Sequence, residues 1–349
     1  MRSDNGVPAA EEPESDGGFD VEAGCNGRDH LPTHLIVMVN GIIGSESNSS
    51  MLTFDGVDVM GKRLADEVIS VKDRHPNLQK ISFVGHSLGG LVARYDVAEL
   101  YRQDLIRKHG EENGEDDSQK SSLEDKPRVN IAGLEPVNFI TSATPHLGSR
   151  GINSFSIDVY GLSLRVPVFC GFYTMEKLAS RASWLLGRTG RHLFLSDCDG
   201  GKPPLLLRMS SDSEDLKFIS ALQSFKRRVA YANARFDHLV GWSSSSLRRR
   251  NELPKKNAKY PHIVNEEKSN TANPQEEVSL EAKVARGRTS DMEETMIRAL
   301  TRLSWERVDV NFSGSIQRLL AHSTIQVKTQ CMNSDGADVI QHMIDNFQL

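Results

Sequence analysis

ISFVGHSLGGLVARY, residues 81–95, narrows the choice of fold sharply. A short apolar, β-rich run (ISFV) passes through the glycine-bracketed turn GHSLGG straight into an apolar helix, read from Leu88 to Leu105 with Leu91, Val92, Tyr95, Ala98 and Tyr101 facing inward. Strand, sharp turn and helix in immediate succession is the unit from which parallel sheets are built, because the helix must carry the chain back before the next strand can pair. Other strand candidates are LIVMV at 35–39, VNFITSA at 137–143, RRVAYANA at 227–234 and WERVDVNF at 305–312. Helical or loop material separates them, so the fold class is α/β, with a mostly parallel sheet and helices on both faces. From Asp55 onward Val57, Met60, Leu64, Val68 and Val71 recur at helical spacing, with Asp55 placed to cap that helix and Asp58 to favour its positive end.

The turn itself carries chemistry. GHSLGG fits G-x-S-x-G, in which small flanking residues allow a serine to sit on a strained strand-to-helix bend with its hydroxyl exposed, so Ser87 is the candidate nucleophile. The competing reading is a glycine-rich turn whose serine only caps the helix; the flanking strand and helix favour the nucleophile. A serine hydroxyl needs a histidine to take its proton and a carboxylate to orient that histidine, and on this kind of elbow the chain order is serine, acid, histidine. His322 follows the last predicted strand at the sheet end where the nucleophile should lie, and Asp237 follows RRVAYANA in the same way. His262, in polar sequence, is read as solvated, His342 as a surface or partly packed residue, and Asp197 and Asp199 as weaker rivals in glycine-rich sequence. Two amides are expected to face a developing oxyanion: that of Leu88 and, from the NGIIGS loop, that of Ile42.

Length and charge set the surroundings. With 349 residues one large domain with insertions is favoured, and a formal net charge of -5 provides no basic field for nucleic acid. Cys25, Cys170, Cys198 and Cys331 show no C-x-x-C spacing, which favours reduced thiols in a cytosolic protein and suggests neither a metal site nor a disulfide framework. Residues 1–32 read as a disordered acidic arm, and 33–349 as the folded domain, with polar insertions near 109–127 and 243–290. No apolar run approaches the ~20 residues of a spanning helix, so membrane contact is expected to be peripheral.

The segments VMVNGIIGS, LTFDGVDVMGKRLADEV, ISFVGHSLGGLVARY, TSATPHLGS, YANARFDHLVGW and AHSTIQVK together resemble the lipase-like serine esterases of the α/β-hydrolase superfamily, especially plant members, from about Thr33 to the C-terminus. The resemblance implies an α/β-hydrolase fold, Ser87 as nucleophile, Asp237 as acid and His322 as base, and no cofactor. TPHLG at 144–148 looks like the lipase segment after the next strand, with His146 an active-site wall or a structural hydrogen-bonder; His86, His146 and Leu147 are substrate-lining candidates. There is one departure. Such proteins carry a helix and a further strand between the glycine loop and the FDG helix, whereas only residues 46–54 fill that interval here. A parallel crossover alone takes a dozen or more residues. The expected sheet therefore lacks one helix and one edge strand, and 35–39 becomes its edge.

The apolar region near 152–195 suggests a cap over the site that supplies an acyl-chain surface, and the basic run LRRRNELPKK at 247–256 is either solvated surface or a contact for anionic headgroups. The resulting expectation is a Ser-His-Asp hydrolase of lipid acyl esters, cytoplasmic or peripheral to membranes or lipid droplets. A catalytically impaired binding protein of the same fold, or an acyltransferase, are the alternatives.

Overall fold

A computed structural model describes residues 31–41, 53–112, 130–149, 156–159, 162–165, 187–198, 201–249, 260–268 and 289–349. The expected acidic arm up to residue 30, Ile42 with the rest of the glycine loop, most of the first polar insertion, most of the cap region, and residues 250–259 and 269–288 of the second insertion lie outside these residues.

The main sheet is assembled from β1 (His34–Val39), β2 (Lys80–His86), β3 (Glu135–Ser142), β6 (Arg227–Asn233), β8 (Glu306–Val310) and β7 (Ile263–Glu267), in the order β1-β2-β3-β6-β8-β7. Every neighbouring pair is parallel except β7 with β8. A separate antiparallel pair, β4 (Ser156–Val159) with β5 (Leu162–Arg165), falls within the expected cap region.

The central strands are apolar on both faces because both faces are covered. Phe139 of β3 and Ala230 of β6 enter one core, while their neighbours Ile140, Val229 and Tyr231 enter another. Alternation across a strand sends successive side chains to opposite sides, so one strand feeds two cores. The first core is closed by α1 (Val57–Arg74), α2 (Leu88–Glu112), α5 (Phe218–Gln223) and α7 (Thr289–Leu300), with the short helices α3 (Gly187–Leu193) and α4 (Leu205–Arg208) beside them. The second is closed by α8 (Ala321–Thr324) and α9 (Ala337–Asp345). A short helix, α6 (Trp242–Ser246), follows β6.

Val57, Met60, Leu64 and Val68 of α1 are buried, as their spacing predicts. Asp55 is not the cap: its carboxylate pairs with Arg63 at 2.5 Å. The amides of Gly56 and Val57 are taken instead by Thr189 Oγ1 and His192 Nδ1, each at 3.1 Å, so a segment distant in sequence closes the helix end. Helix α2 runs to Glu112, past the predicted end and into the first residues of the expected insertion.

The second polar insertion is corrected in part. Residues 263–267 add β7 to the sheet rather than looping away, and His262 is half-buried, its Nδ1 3.0 Å from Asp338 Oδ1. Arg248, from the basic run, is buried and binds Asp309 and Glu267, both at 2.7 Å, while Arg249 pairs with Glu294. A buried countercharge explains why Arg248 is not solvated; residues 250–256 of the run lie outside the described residues. At the opposite side of the sheet β1 is the edge strand, with Ile36 44% and Met38 71% exposed.

Candidate active site

Ser87 lies between the last residue of β2 and the first of α2, with φ 55. This left-handed backbone is costly for a residue with a Cβ and is held by its surroundings. The Ser87 amide donates to Ser142 O at 2.8 Å, and a Cβ added at Gly89 would come within 2.1 Å of Val39 O. The elbow is therefore wedged between the ends of β1 and β3, and glycine at 89 is what lets the helix start so close to β1.

Asp237 follows β6, immediately after Phe236, which also has positive φ (63). His322 sits in α8, beyond β8. These three side chains, separated by up to 235 positions, meet: His322 Nε2 is 2.9 Å from Ser87 Oγ, and His322 Nδ1 is 3.0 and 3.2 Å from the Asp237 carboxylate oxygens. A carboxylate only accepts, so Nδ1 carries the imidazole proton and Nε2 is left to accept from the serine hydroxyl.

The carboxylate is fixed by more than histidine. Leu239 and Val240 amides donate to Asp237 Oδ1 at 3.0 and 2.9 Å, and Asn233 Nδ2 donates to Oδ2 at 2.9 Å. Burial alone would raise the Asp237 pKa; the attraction of His322, its hydrogen bond, and the Asn233 and Val240 donors outweigh that and hold it below its ordinary value. Asn233 also donates to Ala321 O at 3.2 Å, tying the acid's strand to the helix that carries His322.

His86 adds a second brace. Its Nε2 is 2.7 Å from His322 O, which as a carbonyl must accept, and the two rings lie 4.8 Å apart. Burial, then repulsion from His322, push the His86 pKa down to about 3, so it stays a neutral donor.

The Leu88 amide begins α2, where first-turn N–H groups have no intrahelical acceptor. A Cβ at Gly41 would be 3.6 Å from that amide and 3.3 Å from Ser87 Cβ, so the chain leaving β1 passes directly beside Ser87. Ile42, the next residue and the expected second donor, lies outside the described residues.

Other expectations are redirected. His146 and Leu147 are buried: His146 Nε2 is 3.0 Å from Thr141 Oγ1 with its ring edge-on to Trp305, and the Leu147 amide donates to Ser244 Oγ. The Thr141 contact is the structural hydrogen bond that is one of the two expected roles of His146. His342 is buried, its Nδ1 2.8 Å from Tyr231 OH, not a surface residue. Asp197 accepts the Leu205 amide at 2.7 Å, closing a helix start; Asp199 lies outside the described residues. Asn233 and the His86 brace were missed by sequence reasoning. The position of Asn233 at a strand's carboxyl end, four residues before the acid, was the available signal.

A nucleophilic elbow after an inner strand of a mostly parallel sheet, with acid and imidazole delivered from later strand ends, defines an α/β-hydrolase fold. Residues 45–247 match the family described as Putative serine esterase (DUF676), and the chain belongs to that family. The matched span includes Ser87 and Asp237, and His322 lies beyond it. The chain is 32% identical over 216 residues to Putative lipase ROG1 of Saccharomyces cerevisiae, covering 61% of this chain and 24% of that protein. It is 26% identical over 218 residues to Putative lipase C4A8.10 of Schizosaccharomyces pombe, covering 61% and 22%. The chain thus spans about a quarter of the length of these curated relatives. A crystal structure of Bacillus licheniformis lipase BlEst2 in its propeptide form aligns with TM-score 0.30 and 12% identity, over 60% of this chain and 38% of that one.

Proposed function

We propose that the protein hydrolyses carboxylic esters of lipid-like substrates through an acyl-enzyme on Ser87. The observation that carries this reading is the continuous hydrogen-bonded path from Ser87 Oγ through His322 to a buried Asp237. As Oγ attacks the ester carbonyl carbon, His322 Nε2 takes its proton, and the resulting imidazolium is stabilised by Asp237. The tetrahedral oxyanion is received by the Leu88 amide and, in this proposal, by that of Ile42. Collapse breaks the C–O bond, with His322 returning the proton to the departing alcohol. Water, deprotonated by His322, then attacks the acyl-enzyme and releases a carboxylic acid and free Ser87.

A lipid acyl ester is favoured by the description of the relatives as lipases. The test is hydrolysis of a series of p-nitrophenyl esters of increasing acyl length by the full chain and by Ser87→Ala. Turnover that disappears in the variant, with longer acyl chains preferred, supports the proposal. Equal turnover by both proteins removes it, and product that appears mainly as a new ester when an alcohol is added would make the protein an acyltransferase.

A further inference from the structure

The segment that delivers His322 is built inside out. Ile316–Leu320, a 3-10 helix directly before α8, has Ile316 99%, Leu319 50% and Leu320 47% exposed. Its polar residues are the ones anchored. Ser315 Oγ accepts from the Gln317 amide and donates to Asp335, Gln317 Nε2 reaches Ser334 Oγ at 3.0 Å, and Gln317 Oε1 accepts from the Asp335 amide at 3.1 Å. In a 3-10 helix residues three apart eclipse one another, so Ile316 and Leu319 form one outward face. Surface helices normally show the opposite arrangement. These anchors fix the apolar face in place, so it is a presented surface rather than a frayed one.

The surroundings say what it meets. Between Ile316 and Lys328 the sequence holds no acidic residue, and Arg318 and Lys328 are both exposed cations. Arg318 lies over the Phe236 ring, 5.7 Å from its centroid, beside Asp237. A surface groove of about 270 Å³ runs along Gly314, Ser315, Ile316, Arg318 and Leu319. Apolar side chains with the exposed cation Arg318 among them match the boundary between acyl chains and phosphate headgroups. The patch is continuous in sequence with α8, which carries His322.

We infer that Ile316, Leu319 and Leu320, with the cation Arg318 among them, form a docking surface for a phospholipid surface, which sets the protein down with His322 and Ser87 facing the lipid. This rests on the ester-hydrolase reading for its purpose but not for its test. In a Ser87→Ala background, so that nothing is consumed, the full chain is co-sedimented with phosphatidylcholine–phosphatidylglycerol vesicles, with and without Ile316→Ser/Leu319→Ser. The expected result is about a tenfold or greater rise in the lipid concentration needed for half-binding. The same pair of changes on the Ser87 protein leaves hydrolysis of dissolved p-nitrophenyl acetate within about twofold, since no apolar anchor is needed for a dissolved ester. Unchanged sedimentation, or a parent that does not bind vesicles, overturns the docking surface. So does a change whose sole effect is to dissociate self-associated chains, which would make the patch a contact between copies. Loss of dissolved-ester hydrolysis in the Ser87 parent would instead strike the ester-hydrolase reading and leave the docking result standing.

Discussion

Ser87 occupies a left-handed backbone that costs on the order of 1–3 kcal/mol. The site offsets that strain with fixed partners: the Ser142 carbonyl behind the Ser87 amide, His322 in front of the hydroxyl, and three donors besides His322 on Asp237. Replacing Asp237 by Asn keeps the volume but offers His322 Nδ1 a group that can donate, which favours the tautomer with its proton facing Ser87. On the proposed mechanism kcat should then fall by roughly 10³ to 10⁴ with KM little changed; steady-state kinetics on a dissolved ester checks this, and a loss under tenfold would contradict the assigned role. Ser87, Asp237 and His322, which the structure brings within hydrogen-bond distance, are legible in the sequence because each follows a strand and this fold orders serine, acid and histidine along the chain. The braces are not. Asn233 and His86 act on backbone carbonyls of Ala321 and His322, and a carbonyl partner leaves no residue-type signature.

Among the helices, α2 holds an unusual group. Asp96 is fully buried, and neither of its oxygens has a hydrogen-bond partner among the described residues. Burial first, then Glu67, Glu99 and Asp66, raise its pKa well above the ordinary 3.8. A raised folded-state value means that its favourable contribution is complete below the unfolded pKa and is lost as pH rises toward the folded one, by about 1.4 kcal/mol per pH unit. Asp96→Asn should therefore leave Tm nearly unchanged near pH 4 and raise it progressively toward neutral pH. Calorimetry across that range decides, and a lower Tm at neutral pH would show that the carboxylate has a stabilising partner. Element types were readable wherever apolar periodicity was strong, as in α1, β2 and β6. They were not where polar sequence is recruited by distant partners. Ile263–Glu267 reads as loop, yet it pairs with β8 next to a buried cluster in which Asp309 receives Trp242 Nε1, Arg248 and Asn265 at 2.7, 2.7 and 2.8 Å. Within 263–267 only Asn265 reaches Asp309; its other donors, Trp242 and Arg248, come from α6 and the residues just after it, so a local reading of 263–267 does not show the cluster.

Across the whole molecule the two borders of the sheet differ. β7 ends in Glu266 and Glu267, charges that discourage edge-to-edge pairing, whereas β1 is HLIVMV with Ile36 and Met38 exposed. The short interval after the glycine loop made this edge foreseeable from sequence. Ile36→Lys/Met38→Lys should reduce concentration-dependent association, followed by static light scattering, without altering hydrolysis of a dissolved ester. Association that is unaffected would mean the edge is already covered.

Activated serines of this kind react with fluorophosphonates, and ordinary serines do not, so the central claim has a direct measurement. The full chain is treated with a fluorophosphonate, its intact mass recorded and the modified peptide mapped. A single adduct on Ser87, absent from Ser87→Ala and strongly slowed in His322→Gln, is the predicted result. No adduct, or one that persists in Ser87→Ala, would contradict the account.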